Sequence, residues 1–508
     1  MSIERLGGAK MKSANLLTCI AAAVTIGLVG GCAVGPDFQR PTGPGVSAYT
    51  PTPLPPHTVE APAATGESQR FVAGGAVERQ WWRALGSPRL DALVDRALQA
   101  NPTLAAARAT LRQAEEVYAA RSGSTLYPQV DANLGGQRQR FDPGASGQAG
   151  AAREFSLYHA GVDVRYTFDA AGGNRRALEA LAARVDQQRF QVEGARLTLA
   201  ANIVTTAVTE ARLAAQVEVT EAILASQESQ LRLTRERLRL GQAAPDEVLA
   251  LQTQVEQTRA GIPLLRQQRQ QNEHLLAVLV GQAPGSGGLP AIAMAELTLP
   301  VDLPLAVPSE LVRLRPDIQA AEAMLQAANA EYGVAVAKLY PQLNLSANLG
   351  SQSLTTGALF GSGSAIWNLV GQLTQPLFNP GLPAEKRAAL AAFEAAAANY
   401  RVVVLEALRN VADVLRALDN DAQRLAALAV ADAAARGFLA SIERRYGLGA
   451  ASYVELLIAR QQAQQTSLTL IEARAARLVD SAAFYQAMGG GMLNAAGTVA
   501  RSSPTDGL

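Results

Sequence analysis

Cysteine, histidine and aromatic residues are scarce in this chain of 508 residues, which has two Cys, three His and 5% aromatics. Cys19 lies in an apolar leader and would leave with it, so Cys32 would remain alone and no internal disulfide is available. His57, His159 and His274 fall in a Pro-rich linker, an expected strand and an expected helix, with no HExxH spacing and no Cys/His cluster to hold a metal. Gly285 to Gly288 lacks the Lys-Ser/Thr that completes a phosphate loop. We therefore expect no enzyme, no cofactor and no ATP-driven step in this chain. Net charge is also lacking: the formal value is +1, and loss of residues 1–31 leaves 42 basic against 43 acidic residues, so nothing draws the chain to nucleic acid. After the leader no apolar run reaches the 18 or so residues a spanning helix needs. If the chain crosses a membrane, it does so with strands.

The leader itself reads as an export signal. Lys10 and Lys12 precede the apolar run Leu16 to Val29, which ends in Gly30-Gly31-Cys32. Two translation starts fit, Met1 and Met11. The LVGGC ending resembles the lipobox of bacterial lipoproteins, which implies cleavage after residue 31 and lipidation of Cys32; the alternative is an ordinary signal with a stray cysteine. Ala33 stands where an Asp would favour the inner membrane, so the resemblance implies the outer membrane.

What is present is a repeat. LYPQVDANLG from Leu126 returns as LYPQLNLSANLG from Leu339. From Gln342 onward Leu343, Leu345, Ala347 and Leu349 alternate with Gln342, Asn344, Ser346 and Asn348, the period of two of a strand. Val130, Ala132 and Leu134 oppose Gln129, Asp131 and Asn133 in the first copy. A second alternating stretch follows each, Val162 to Phe168 and Trp367 to Thr374, which predicts one hairpin per half, with strands at about 126–141 and 155–168, then 340–354 and 364–377. Two soluble half-buried hairpins would satisfy the pattern; so would membrane strands with one face wet. Four strands cannot close a membrane barrel, so the second reading requires an oligomer, and three copies would supply twelve.

Long helical seams flank the hairpins. Leu178, Leu181, Val185, Val192 and Leu199 keep heptad spacing, and Leu390 to Leu418 alternates steps of three and four. Helices of about 100 Å follow at 1.5 Å per residue. Shorter helices are predicted over Asp246 to Val280 and Ser452 to Met488, and one before each hairpin, Pro88 to Arg121 and Pro308 to Lys338. Asn101-Pro102 matches Arg315-Pro316, Arg237 to Gly241 matches Arg445 to Gly449, and Glu247 matches Glu455. The chain is thus a duplicated helix-hairpin-helix unit, mainly α with membrane β. Tyr127-Pro128 and Tyr340-Pro341 mark the helix-to-strand junctions, either as interfacial aromatics or as simple helix stops.

Cys32 to Phe38 (CAVGPDF), Trp81-Trp82 followed by Asp91-Ala92-Leu93-Val94, VPSELVRLRPDI from Val307, and both LYPQ copies resemble the NodT/OprM-like lipoprotein branch of the TolC family of outer-membrane factors, over roughly residues 32–490. That resemblance implies a homotrimer with a twelve-stranded barrel continued by a periplasmic helical barrel. It implies lipid attachment at the cell outer membrane, a periplasmic adaptor, and an inner-membrane pump of RND type, the whole conducting small toxic compounds or drugs. A duct for type I protein export and a non-conducting structural envelope lipoprotein remain as alternatives. The expected division is 1–31 signal, 32–87 tether, 88–282 first repeat, 283–308 linker, 309–488 second repeat and 489–508 flexible tail. The candidate periplasmic gate is Asp246, Glu247 and Glu455, and the turns expected to dock the adaptor carry Arg237, Gly241, Arg445 and Gly449. Asp246 has an equally good reading as a helix cap. Ala451 and Ile458 depart from acidic positions of the family's constriction.

Overall fold

A computed structural model describes residues 33–75, 77–147 and 149–491. The signal segment, Cys32 and the tail beyond 491 lie outside them, so the expectations placed there are not addressed by the fold. Eight α-helices and six strands occur among the described residues: β1 (Arg70–Ala73), α1 (Pro88–Ala100), α2 (Pro102–Leu126), β2 (Gln129–Phe141), β3 (Arg153–Phe168), α3 (Gly173–Arg239), α4 (Pro245–Leu279), β4 (Asp302–Leu305), α5 (Pro308–Leu314), α6 (Pro316–Ala337), β5 (Gln342–Ser353), β6 (Ala365–Thr374), α7 (Gly381–Gly447) and α8 (Tyr453–Ala487). The duplication is visible in the lengths: α3 and α7 have 67 residues each, α4 and α8 have 35 each. Among the described residues contacts divide the chain into two units, one of residues 33–40, 111–187 and 322–399, the other of 41–110, 188–321 and 400–491.

The first unit holds an antiparallel sheet in the order β2-β3-β5-β6. Register is continuous along every pair, so alternation is preserved and the two faces differ in kind. Ala132, Val162, Leu349 and Trp367 form one cross-strand row, and Val130, Val164, Ala347 and Leu369 another on the same face. Leu134, Leu349, Trp367, Leu369 and Leu373 are each more than two-thirds exposed. The opposite face carries the row Asp131, Asp163, Asn348 and Asn368. There Asp163 accepts from Asn133 Nδ2 and Asn348 Nδ2 at 2.5 Å each, and Arg165 pairs with Asp131. Gly135 and Gly136 leave room for their cross-strand neighbours: a Cβ on the first would meet His159 Cε1 at 2.3 Å, and on the second Tyr158 Cδ1 at 3.0 Å, so each ring would have to turn aside. Both LYPQ copies sit where the alternation predicts, with α2 ending at Leu126 and β2 beginning at Gln129, and β5 beginning directly after Pro341. Pro128 and Pro341 cannot continue a helical hydrogen-bond ladder, which fixes the change of structure at those points.

The second unit shows the same duplication in its packing. The single helices predicted before each hairpin are each two, broken at Asn101 and Arg315. A residue before proline is driven out of the α region, and both have extended backbones, φ −67°, ψ 124° and φ −91°, ψ 125°. Both then do the same work. Asn101 Nδ2 donates to the carbonyl of Leu279 at the end of α4 (2.8 Å), and Arg315 Nη1 donates to that of Ala487 at the end of α8 (3.1 Å). Beside them Gly281 and Gly489, at φ +82° and +85°, lie so close to the carbonyls of Ala100 and Leu314 that no Cβ fits. Trp81 stacks on Tyr485 at 5.4 Å, and Trp82 is buried beneath the Arg196 guanidinium at 5.9 Å. Residues 41–56 form no helix or strand and are fastened by Tyr49 Oη to the Ala306 carbonyl (2.7 Å) and by Arg416 Nη2 to the Thr52 carbonyl (2.5 Å). Sequence reading missed two strands: β1, and β4 inside the expected linker, which pair in parallel from Arg70↔Asp302 to Ala73↔Leu305.

The duplicated halves differ in how far the helix before each hairpin is covered. α6 is packed within the chain, with Ile318, Leu325, Ala327 and Ala330 buried and Glu331 paired with Arg184 of α3. In its counterpart α2, Leu104 alone is buried among 25 residues.

Candidate gate at the helix tips

The tips are the turns joining α3 to α4 and α7 to α8. Both are built alike. The amide of Gln242 donates to the Arg237 carbonyl and that of Gly241 to Leu238; the amide of Ala450 donates to Arg445 and that of Gly449 to Tyr446, at 2.8–3.0 Å. This paired closure of a helix end requires a left-handed residue, and Gly241 and Gly449 both adopt φ +74°. A Cβ at either would touch nothing within 4 Å, so backbone conformation rather than crowding accounts for the glycine. The two arginines complete the turns, Arg237 Nη2 donating to the Gln242 carbonyl (3.3 Å) and Arg445 Nη2 to the Ala450 carbonyl (3.1 Å).

The acidic candidates stand at the starts of α4 and α8. Ser452 Oγ accepts from the Glu455 amide (3.2 Å) while Glu455 Oε2 accepts from the Ser452 amide (2.6 Å), a complete reciprocal cap. The Ser452 amide first, then its hydroxyl, hold the Glu455 carboxyl below the usual range, and Arg445 adds to the effect. In the first repeat Ala244 occupies the capping position and has no side-chain acceptor, so only half the arrangement survives: Glu247 Oε1 accepts from the Ala244 amide at 3.4 Å. Asp246 is exposed in the first turn of α4, where the helix dipole favours a carboxylate. Both glutamates therefore point back at their own helix ends. Among the described residues no hydrogen bond or ion pair joins one to the other, and none of the three acids belongs to a group of metal-ligating side chains.

A contact that spacing did not single out joins the two tips. Arg237 Nη1 of α3 donates to Tyr446 Oη of α7 at 2.7 Å, with its guanidinium 5.8 Å from that ring's centroid. Tyr446 packs in turn against Tyr453 at 6.1 Å. Burial pushes the Tyr453 phenol up to about 12, and its buried hydroxyl has no hydrogen-bond partner. The signal was a break in the repeat, since Leu238 and Pro245 occupy the matching places.

Each helical pair is closed by apolar contacts of its own. Leu231, Val248, Leu251 and Val255 join α3 to α4; Ile442, Leu456 and Ala459 join α7 to α8. Between the pairs Tyr453 of α8 packs on the cluster that joins α3 to α4, and polar contacts accompany it: Gln216 Nε2 to Glu472 Oε1 (3.0 Å), Gln227 Nε2 to Gln464 Oε1 (3.5 Å), and Arg237 to Tyr446. Hydrogen bonds can be exchanged for water at small net cost, whereas apolar seams resist separation.

The outer membrane efflux protein family profile matches residues 93–282 and 307–490, one segment per repeat. The pyoverdine export outer membrane protein OpmQ of Pseudomonas aeruginosa is 33% identical over 461 residues, covering 88% of this chain and 94% of that protein. The probable efflux pump outer membrane protein TtgC of Pseudomonas putida is 30% identical, covering 93% and 95%. Among solved structures, the outer-membrane channel OprN superposes with a TM-score of 0.81 at 26% identity, over 91% of this chain and 99% of its own. The open-state structure of the Neisseria gonorrhoeae MtrE outer membrane channel gives 0.77 at 25% identity, over 91% and 98%. The chain belongs to the outer membrane efflux protein family and is the outer-membrane channel component of an efflux system.

Proposed function

We propose that three copies of this chain close one continuous duct, with a barrel of twelve strands in the outer membrane and a helical tube leading to it. The open four-stranded sheet carries this reading, because one face is apolar and exposed and the other is polar and internally hydrogen-bonded. In lipid the free edges of β2 and β6 would leave backbone groups unsatisfied, each at several kcal/mol, roughly, so the edges must meet those of other copies. The helices support the same assembly. α6 lies on α3 within the chain, so by the duplication the exposed α2 of one copy would lie on the exposed first half of α7 in the next, where Leu390, Val402 and Leu405 are uncovered. Leu111 and Ala114 are the α2 residues that match Leu325 and Ala328 of α6.

The cargo is a class of small toxic compounds, in keeping with relatives named for pyoverdine, toluene and antibiotic efflux. A periplasmic adaptor would dock at the turns bearing Arg237, Gly241, Arg445 and Gly449, and an inner-membrane pump, of RND type, would supply the energy. Cys32 would carry the lipid anchor, a reading supported by the similarity to SilC of Salmonella typhimurium, named a probable outer membrane lipoprotein, at 27% identity. At the tips Glu247, Glu455 and Asp246 would contribute negative charge to the opening while Arg237 and Tyr446 hold it shut. The test is the mass of the purified protein in detergent beside that of Ala114→Arg. A trimer that the arginine reduces to monomers, with helix content retained, agrees with this assembly; a monomeric wild type contradicts it.

A further inference from the structure

The first hairpin exchanges the character of its two faces partway along. On the β2 face that carries Val130, Ala132 and Leu134, the next positions are Gly136, Arg138 and Arg140. Register places Tyr158, Ser156 and Glu154 of β3 beside them. Over the same stretch the polar residues of the opposite face give way to Leu157, Phe155 and Phe141. An apolar belt therefore ends at Gly136 and Tyr158, and charge begins one step beyond. The Tyr158 ring lies over Gly136, and an amphipathic aromatic is suited to such a boundary.

The height of the belt is that of a membrane. Counting from Pro128, where the helix has ended, ten residues lead to Arg138. At about 3.3 Å per residue and a tilt of about 40° they rise roughly 25 Å, which is the height of the apolar band on a membrane barrel. Arg138 then stands at the rim of the hydrocarbon, and Arg140 about 5 Å above it. Because α2 and α3 join the other ends of β2 and β3, this rim is the one away from the helices.

The two arginines have little to do within the chain. Arg138 pairs with Glu154 at 3.1 Å, but the two side chains are 76% and 52% exposed, and such a pair adds little to stability. Among the described residues Arg140 makes no ion pair, although Glu154 lies directly across from it. Neither the solubility of a loop nor the protection of a free edge accounts for them. The other hairpin end, residues 351–365, has no charged residue, and β6, the other edge strand, presents only uncharged residues on this face, Trp367, Leu369 and Leu373 among them.

We propose that Arg138 and Arg140 bind lipid-borne phosphate in the leaflet of the outer membrane that faces away from the periplasm, with three such sites ringing the barrel. Guanidinium forks match phosphate oxygens in pairs. Two arginines alternating along one strand face are about 7 Å apart, so both can close on one headgroup. The contact fixes the height of the barrel from its outer rim, which the belt alone does not, since apolar attraction is non-directional. This inference rests on the reading of the sheet as part of a membrane barrel, and its test separates the two.

The full chain, purified in detergent, is mixed with an acylated glucosamine disaccharide lipid carrying two phosphates, or with the same lipid dephosphorylated, and retained lipid is counted by native mass spectrometry. We expect the phosphorylated form to be held at least about ten-fold more tightly, and Arg138→Gln with Arg140→Gln to abolish the difference. Both side chains are exposed, so the double variant folds, which helix content verifies; Arg153→Gln, on the opposite face, should change nothing. A double variant that keeps the preference overturns the proposal. So does displacement of the lipid by a ten-fold excess of inorganic phosphate, which would assign the arginines to a soluble anion. Flotation with phosphatidylcholine vesicles reads the barrel by itself: protein that floats but binds both lipids alike sinks the site and leaves the barrel, and protein that does not float counts against both.

Discussion

Neutralising Asp480 should make the protein more stable, and only above mildly acidic pH. Asp480 on α8 hydrogen-bonds Asp421 on α7, and burial first, then this acidic neighbour, push its carboxyl up to about 7, against the opposing charge of Arg477. Arg477 has no exposed surface, and it spends its contacts elsewhere: Nη2 donates to Gln69 Oε1 (2.8 Å) and to the Glu67 carbonyl (3.2 Å). One oxygen of Asp480 is left without a partner. A group whose folded pKa lies above its unfolded value of 3.8 carries no penalty below about pH 4; stability is lost as pH rises from there and is fully lost once pH passes about 7. At about 1.4 kcal/mol per unit, the shift corresponds to a loss on the order of 4 kcal/mol, an upper bound because Asp421 shares the titration. Asp480→Asn keeps a donor for Asp421 and removes the buried negative charge. Thermal scans at one rate, from pH 5 to 8, should show the wild type losing stability as pH rises and the variant nearly level. A wild type with no slope, or a variant with the same slope, would refute the reasoning.

Four further outcomes follow from the tips. Ser452→Ala removes the acceptor for the Glu455 amide and should cost about 1 kcal/mol, with the Glu455 carboxyl moving up toward its ordinary value in a carboxylate NMR titration. Gly449→Ala must place a Cβ at φ +74° and should cost about 1–2 kcal/mol, read as a lowered unfolding temperature, whereas an unchanged one would mean the turn had been rebuilt. Tyr446→Phe deletes the 2.7 Å bond from Arg237 and should raise opening frequency in bilayers without changing unit conductance. Glu455→Gln should instead lower cation preference, because the charge rather than the clamp is lost.

Sequence made the architecture legible because the repeat was written in local patterns. Alternation from Gln129 and Gln342 and the prolines after Tyr127 and Tyr340 depend on neighbouring residues alone, and the fold follows them closely. The breaks at Asn101 and Arg315 were also local, a pre-proline rule outweighed by an otherwise helical composition. β1 and β4 were not legible, since four residues carry no usable period and their pairing spans more than 230 positions. The site was legible only in part. Glycines and glutamates repeated visibly, but whether Glu455 faces an opening or its own helix end depends on Ser452, which the first repeat replaces with Ala244. The Arg237 to Tyr446 clamp joins residues 209 apart in the chain and lies where the repeats differ.

Single-channel recording on the purified protein in planar bilayers, with its mass determined in the same detergent, tests the central claim most directly. A trimer giving discrete, cation-biased conductance, sparse in the wild type and more frequent in Tyr446→Phe, is what a duct closed at its tips requires. A stable protein that stays silent with Tyr446→Phe, and again with Glu247 and Glu455 both neutralised, would contradict it.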